Sequence, residues 1–195
     1  MFALTIDQRS SRRTADAVPE LVAALNEHPL VRSFERTAGD EVQGLTDRPD
    51  VVVDILVELA RRQTWWAGVG VGAVEDDLPD SVRASRGPAL VAARDAVERA
   101  KHATAGVAVS GAEGLDASAV EDVETAAQAL GLLVGARSLE GHQAVAAVAE
   151  GVTQSEAARR LGISPQAMSR RLQVARWDDE ARLRRLVQRL LERVS

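Results

Sequence analysis

Thr153 to Trp177 reads TQSEAARRLGISPQAMSRRLQVARW, and its spacing predicts two short helices joined by a tight turn. Two helices that cross steeply need a small residue inside the first, glycine in the turn, and apolar residues at fixed offsets. Ala157, Ala158 and Leu161 form the inner face of the first helix, Gly162 supplies the turn and Ile163 plugs the corner. Ser164 is placed to N-cap the second helix, with Pro165 at its first position. Met168 and Leu172 then face inward. The pattern is that of a helix-turn-helix, whose second helix enters the major groove of double-stranded DNA.

The outward and N-terminal residues of that second helix are Gln166, Ala167, Ser169, Arg170 and Gln173. Arginine can fork onto guanine, glutamine onto adenine, and an alanine methyl can touch the thymine methyl. Ser164, Arg171 and Arg176 are better placed for phosphate, which positions a protein without reading sequence. A hairpin used only for packing has no need of Arg and Gln at those outward positions.

A helix from His142 to Glu150 would complete a three-helix core around this motif. Downstream, Leu183, Leu186, Val187, Leu190 and Leu191 recur at helical spacing between about Asp178 and Val194. That last helix either closes the domain or pairs with a second copy. One small reading head buries little DNA, so a homodimer is the expected form. The charge distribution agrees. From Gln154 onward ten arginines face five acids, whereas the preceding 153 residues carry 24 acids against 14 bases. A net charge of −5 thus conceals an acidic body and a basic tail suited to a polyanion.

The first 112 residues alternate strand and helix patterns. Phe2–Ile6 is a β-prone run, residues 14–27 carry Val18, Leu21, Val22 and Leu25 at helical spacing, and Leu30–Thr37 reads as a strand. Gly39-Asp40-Glu41 turns the chain into Val42–Leu45, and Pro49 opens a helix with Val52, Ile55, Leu56 and Leu59 on one face. Trp66–Val74 is a glycine-rich strand that another element approaches closely. Pro88–His102 is a third helix and Ala105–Ser110 a last strand. The first six elements follow the ferredoxin-like order, which predicts an antiparallel sheet with helices on one face. Ala117–Leu133 is helical, and the break at Gly111–Gly114 is the expected domain boundary.

Composition excludes several classes. Without cysteine there is no disulfide scaffold, thiolate zinc site, iron–sulfur cluster or thiol nucleophile. The apolar runs fall short of a membrane span and the first residues lack a leader pattern, so the expectation is cytoplasmic with no membrane partner. His28, His102 and His142 show no metal-ligand spacing. Trp65 and Trp66 read as core or interface anchors, and glycines 68, 70 and 72 do not make a dinucleotide fingerprint. Asp7 at the end of the first strand and Asp40 in the hairpin turn could lie side by side and hold a divalent metal. Alternatively, Asp7 caps the helix entry and Asp40 is a turn residue.

The blocks IDQRSSR, AGDEVQGL, GVGVGAV and GPALVAARDAVE resemble the SatD family pattern, as does the tail. That resemblance covers nearly the whole chain, and its most specific part is GDE-x-QGL. It implies a DNA-binding regulator without an assigned enzymatic activity. The same blocks are similar to those of class III nucleotide cyclases. This second resemblance implies a cyclase-like sheet with Asp7 and Asp40 as metal aspartates, Arg36 where a purine-selecting lysine stands, and Arg94 as the transition-state arginine. The family's asparagine position is Leu90 here, and leucine cannot bond a ribose or orient a nucleophile.

The expectation is therefore an α+β protein in three stretches. Residues 1–112 form a ferredoxin- or nucleotide-cyclase-like domain, 113–141 a connecting helical segment, and 142–195 an all-α helix-turn-helix domain. The expected function is sequence-specific transcriptional regulation, with the N-terminal domain dimerising or sensing a small-molecule effector. Mg²⁺ with a nucleotide is the cofactor left open. The alternative is an active nucleotide cyclase or phosphotransferase targeted to DNA.

Overall fold

The computed structural model describes residues 1–11, 13–75, 80–149 and 151–195. Arg12 of the IDQRSSR block and Glu150 at the end of the expected 142–150 helix lie outside the described residues. The chain is α+β, with five strands in one mixed sheet and eight α-helices among the described residues.

In chain order come β1 (Phe2–Gln8), α1 (Val18–Leu25), β2 (Arg32–Ala38), β3 (Glu41–Thr46), α2 (Pro49–Arg62), β4 (Trp65–Val71), α3 (Pro88–Ala100) and β5 (Val107–Gly111). Then follow α4 (Ala117–Gly135), α5 (Leu139–Ala149), α6 (Gln154–Arg160), α7 (Pro165–Val174) and α8 (Trp177–Val194). The expected alternation of elements is present. Helix α1 starts later than its periodicity suggests because Pro19 favours the first turn and the Gln8 side chain holds the approach. Gln8 donates to Thr14 Oγ1 and Ala15 O and accepts from Ala17 N, which keeps residues 14–17 out of the helix.

The sheet order is β2-β3-β1-β4-β5. The first four strands pair antiparallel, with Ile6 opposite both Val42 and Ala67. Two expectations need correction. β5 runs parallel to β4, so the sheet is mixed rather than antiparallel. The helices also cover both faces. Phe2, Leu4, Ile6, Val42, Val69 and Val71 point to one face, where α1, α2, α4 and α8 complete the main core. Ala3 and Leu45 point to the other, against Ala89, Leu90 and Ala93 of α3. The glycines of β4 permit that second layer, since a Cβ at Gly68 or Gly70 would fall on backbone atoms of α3.

The C-terminal half departs from its expected partition. Helix α4 is no connector. Val120, Val123, Ala126, Ala127, Leu130 and Val134 are buried in the main core, and the Gly111–Gly114 break is merely the β5–α4 turn. Helix α8 is buried against the body rather than within the 142–195 stretch alone. Val187, Leu191 and Val194 pack with α4 and α2 of the body. A separate small cluster unites α5, α6 and α7 through Ala144, Val145, Ala157, Ala158, Met168, Leu172 and Ala175. Residues 139–175 thus form a unit inserted between two body helices.

One buried ion pair sits at the junction. Arg137, in the α4–α5 link, meets Glu180 of α8 at 2.5 Å, with both side chains 1% exposed. Its Nε donates to Ala175 O at the end of α7, 2.7 Å away. Glu180 also accepts from Arg184 Nε at 2.9 Å, and Arg184 reaches Asp54 of α2 at 2.6 Å. One charge network therefore binds α2, α8 and both tethers of the inserted unit.

Candidate functional site

The α6–α7 unit is built by its caps and its small residues. Thr153 Oγ1 accepts from Glu156 N at the start of α6, and Ser164 Oγ accepts from Ala167 N at the start of α7, both at 3.2 Å. Gly162 takes the left-handed conformation, φ +65°, that ends α6, and Ile163 N donates to Ala158 O to close the turn. Ala157 and Ala158 are small enough for α7 to cross against them, with Met168 and Leu172 buried beneath. This burial leaves a defined outer face. Ser164, Gln166, Ser169, Arg170, Gln173 and Arg176 are exposed, and Ala167 and Arg171 are half-buried.

The cations on this face differ. Arg159 and Arg160 of α6 are engaged by Glu156. Arg176, expected to be free for phosphate, pairs with Asp179 at 2.9 Å, and its φ of +55° places it at the bend into α8. Among the described residues Arg170 and Arg171 make no ion pair. Arg170 shares one exposed helix face with Gln166 and Gln173, whereas Arg171 is half-buried and adds to the hydrogen bonds that hold the Glu140 carboxyl below its ordinary range.

The second candidate site lies at the end of β1. The structure brings Asp7 and Asp40 close enough for each carboxyl to act on the other's titration. Burial, reinforced by the neighbouring Asp40, raises the Asp7 carboxyl above its ordinary range. Burial acts upward on Asp40 too, but hydrogen bonds from Ser11 and Asp7 outweigh it and hold that carboxyl low. Of the two, Asp7 is thus the carboxyl that keeps a proton to the higher pH. Lys101 Nζ lies 2.8 Å from Asp7 and 2.7 Å from Glu98. Sequence reading missed Lys101. Its one available signal was that it is the chain's single lysine beside 23 arginines.

Arg36 forks onto Asp16 at 2.6 and 2.7 Å, and lines a cleft of about 320 Å³ with Gln8, Ser11, Thr14, Gly39 and Asp40. Arg94 is not gathered there. It reaches Gln43 Oε1 at 3.4 Å over the α3 face of the sheet, and Gln43 in turn donates to Thr5. Leu90 is buried against Ala3 and Leu45. Among the described residues no three acids or histidines gather as a metal site, and Lys101 already sits against Asp7. This donor set fits a resident Mg²⁺ poorly.

Trp65 is buried in the main core, and Trp66 carries the Arg9 guanidinium 5.6 Å from its ring centroid, so both act as anchors. Among the described residues no helix is long and apolar enough to cross a membrane. In comparisons with known proteins, no family model, no curated protein and no solved structure matches the chain.

Proposed function

We propose that the protein is a sequence-specific DNA-binding transcriptional regulator, with α6 and α7 as its helix-turn-helix. The observation that carries this reading is the outer face of α7. A capped, well-packed helix presents Gln166, Ser169, Arg170 and Gln173 to solvent, and among the described residues Arg170 makes no ion pair. Gln166, Ser169 and Arg170 read base edges, while Ser164 and Arg171 hold phosphate. The proposed partner is double-stranded DNA, bound by a homodimer so that two α7 helices meet two half-sites.

Selection from a randomised duplex pool tests the reading. Wild-type protein is expected to enrich a defined motif. Gln166→Ala/Arg170→Ala is expected to bind that motif about 10²-fold more weakly, because each good bidentate contact contributes roughly 1–3 kcal/mol of discrimination. An unchanged motif in the double variant would remove α7 from base reading.

The body, with its ferredoxin- or cyclase-like order of elements and SatD resemblance, serves as the dimerisation or ligand-sensing domain. Burial of Leu90 leaves no polar group at the resemblance's asparagine position, which supports sensing over turnover. The candidate effector is a nucleotide in the cleft that Arg36 and Asp40 line, accompanied by a divalent cation only if Lys101 leaves Asp7. Calorimetry with ATP, GTP and cyclic nucleotides plus Mg²⁺ tests this. Heat that is lost in Asp40→Asn supports a sensing site, and no heat for any of them leaves dimerisation alone.

A further inference from the structure

Helix α8 carries an arginine stripe that the α7 reading does not use. Its buried residues Val187, Leu191 and Val194 are committed to the main core. On the opposite side Arg182, Arg185, Arg189 and Arg193 are all exposed. At 3.6 residues per turn these four positions fall within an arc of about 80° and span about 16 Å of helix axis. Among the described residues none of the four makes an ion pair. The contrast within one helix is sharp, since Arg184, on the body side, bonds both Glu180 and Asp54. One acid, Asp178, lies at the N-terminal end of the stripe, and Glu192 at its border accepts from Gln188.

An exposed helix normally mixes its charges, because like charges at i,i+4 destabilise it. Arg185–Arg189 and Arg189–Arg193 are two such pairs, and a bound polyanion offsets that cost. We infer that the α8 stripe is a second DNA-contact surface, gripping the phosphate backbone while α7 reads bases. This inference rests on the DNA-binding reading of α7 and adds a second element to it. Charge complementarity selects the occupant. A second copy presenting the same stripe would be repelled. A lipid surface is disfavoured because, among the described residues, Leu186 is the one large apolar side chain that α8 exposes, too little to insert. Duplex DNA offers one negative charge per about 1.7 Å of axis, dense enough to engage all four guanidiniums.

The test is the salt dependence of full-length protein binding to duplex DNA between 50 and 200 mM salt. Each phosphate neutralised contributes about 0.9 to the slope of log K against log salt. Arg182→Gln/Arg185→Gln/Arg189→Gln/Arg193→Gln is therefore expected to lower that slope by about 3 to 4 and to weaken all duplexes alike, leaving sequence preference intact. The single variants Arg185→Gln and Arg189→Gln, each expected to lower the slope by about 0.9, cover the case in which the quadruple variant folds poorly.

A slope unchanged in all three variants would overturn the stripe and leave the α7 reading standing. A slope lowered by the stripe variants, with Gln166→Ala/Arg170→Ala indistinguishable from wild type, would keep the stripe and overturn the α7 reading. Wild-type protein that ignores duplex DNA but binds phosphatidylserine vesicles through these arginines would overturn both.

Discussion

Glu180→Ala is expected to destabilise the protein by about 3–5 kcal/mol, read as a shift of its urea midpoint. The carboxylate lies between Arg137 and Arg184, and removing it strands the Arg137 guanidinium, which is 1% exposed and has few other partners. A buried charge without its counterion costs far more than the pair contributes while intact. Exchanging both partners for apolar residues, Arg137→Met with Glu180→Leu, is accordingly expected to recover most of the loss. Failure to recover it would mean that the Arg137 bond to Ala175 O, not the charge pair, holds the junction. Hydrogen exchange is expected to rise first in residues 139–175, because Arg137 clips both tethers of that unit to α8.

The same junction sets the response to acid. Burial, with Arg137 and Arg61 nearby, lowers the His142 imidazole below its ordinary value of about 6.5. Burial pushes Glu180 upward, but its hydrogen bonds to Arg184 and Arg137 prevail and hold it below its ordinary value of about 4.3. In both cases the unfolded chain binds the proton more tightly than the folded one, so stability falls as pH falls. The loss is expected to begin below about pH 6.5 with His142 and to deepen below about pH 4.3 as Glu180 is protonated. His142→Gln should remove the first limb and leave the second. A urea midpoint constant from pH 7 to 4 would contradict this account of the junction.

Gly70→Ala is expected to cost at least about 3 kcal/mol, a large penalty for one methyl. A Cβ at Gly70 would fall on Ala89 O and Ala93 N of α3, and a helix backbone cannot rotate aside as a side chain can. Helix α3 must lift from the sheet, which opens the contacts of Ala89, Leu90 and Ala93 with Ala3 and Leu45. Gly131→Ala in α4 is the control. There the added Cβ would meet only Ala105 at 3.6 Å, an ordinary contact, and alanine favours a helix over glycine by roughly 0.5–1 kcal/mol. Thermal unfolding should therefore move in opposite directions for the two substitutions. Equal effects would mean that the β4 glycines do not set the α3 layer.

The order of elements was legible because glycine, proline and apolar period punctuate it locally. Pro49 and Pro88 open helices, Gly39 turns the hairpin, and the alternating glycines of β4 announced a close neighbour. What stayed hidden was long-range. Nothing in residues 88–100 says on which face of the sheet they land. The stripe of Leu183, Val187, Leu190 and Leu191 states that α8 is buried on one side but names no partner, so it was grouped with the motif beside it in sequence. Helix α4 read as a connector because its buried positions are largely alanine and valine rather than a strong leucine stripe. At the acid pair, Asp7 and Asp40 were foreseeable from adjacent strands, whereas Lys101 arrives from 94 residues along the chain. Most of the α7 face was legible, since capping, turn and outward positions are local. Ala167 and Arg171, half-buried, and Arg176, engaged by an acid three residues ahead, were the exceptions.

The proposed role turns on whether α7 reads sequence. The most direct measurement is recovery of sheared genomic DNA on the full-length protein, followed by sequencing, with Gln166→Ala/Arg170→Ala in parallel. Discrete peaks that vanish in the double variant are the expected result, and their shared motif would define the half-site. Uniform recovery, identical for both proteins, would contradict it and reduce the C-terminal unit to sequence-independent phosphate binding.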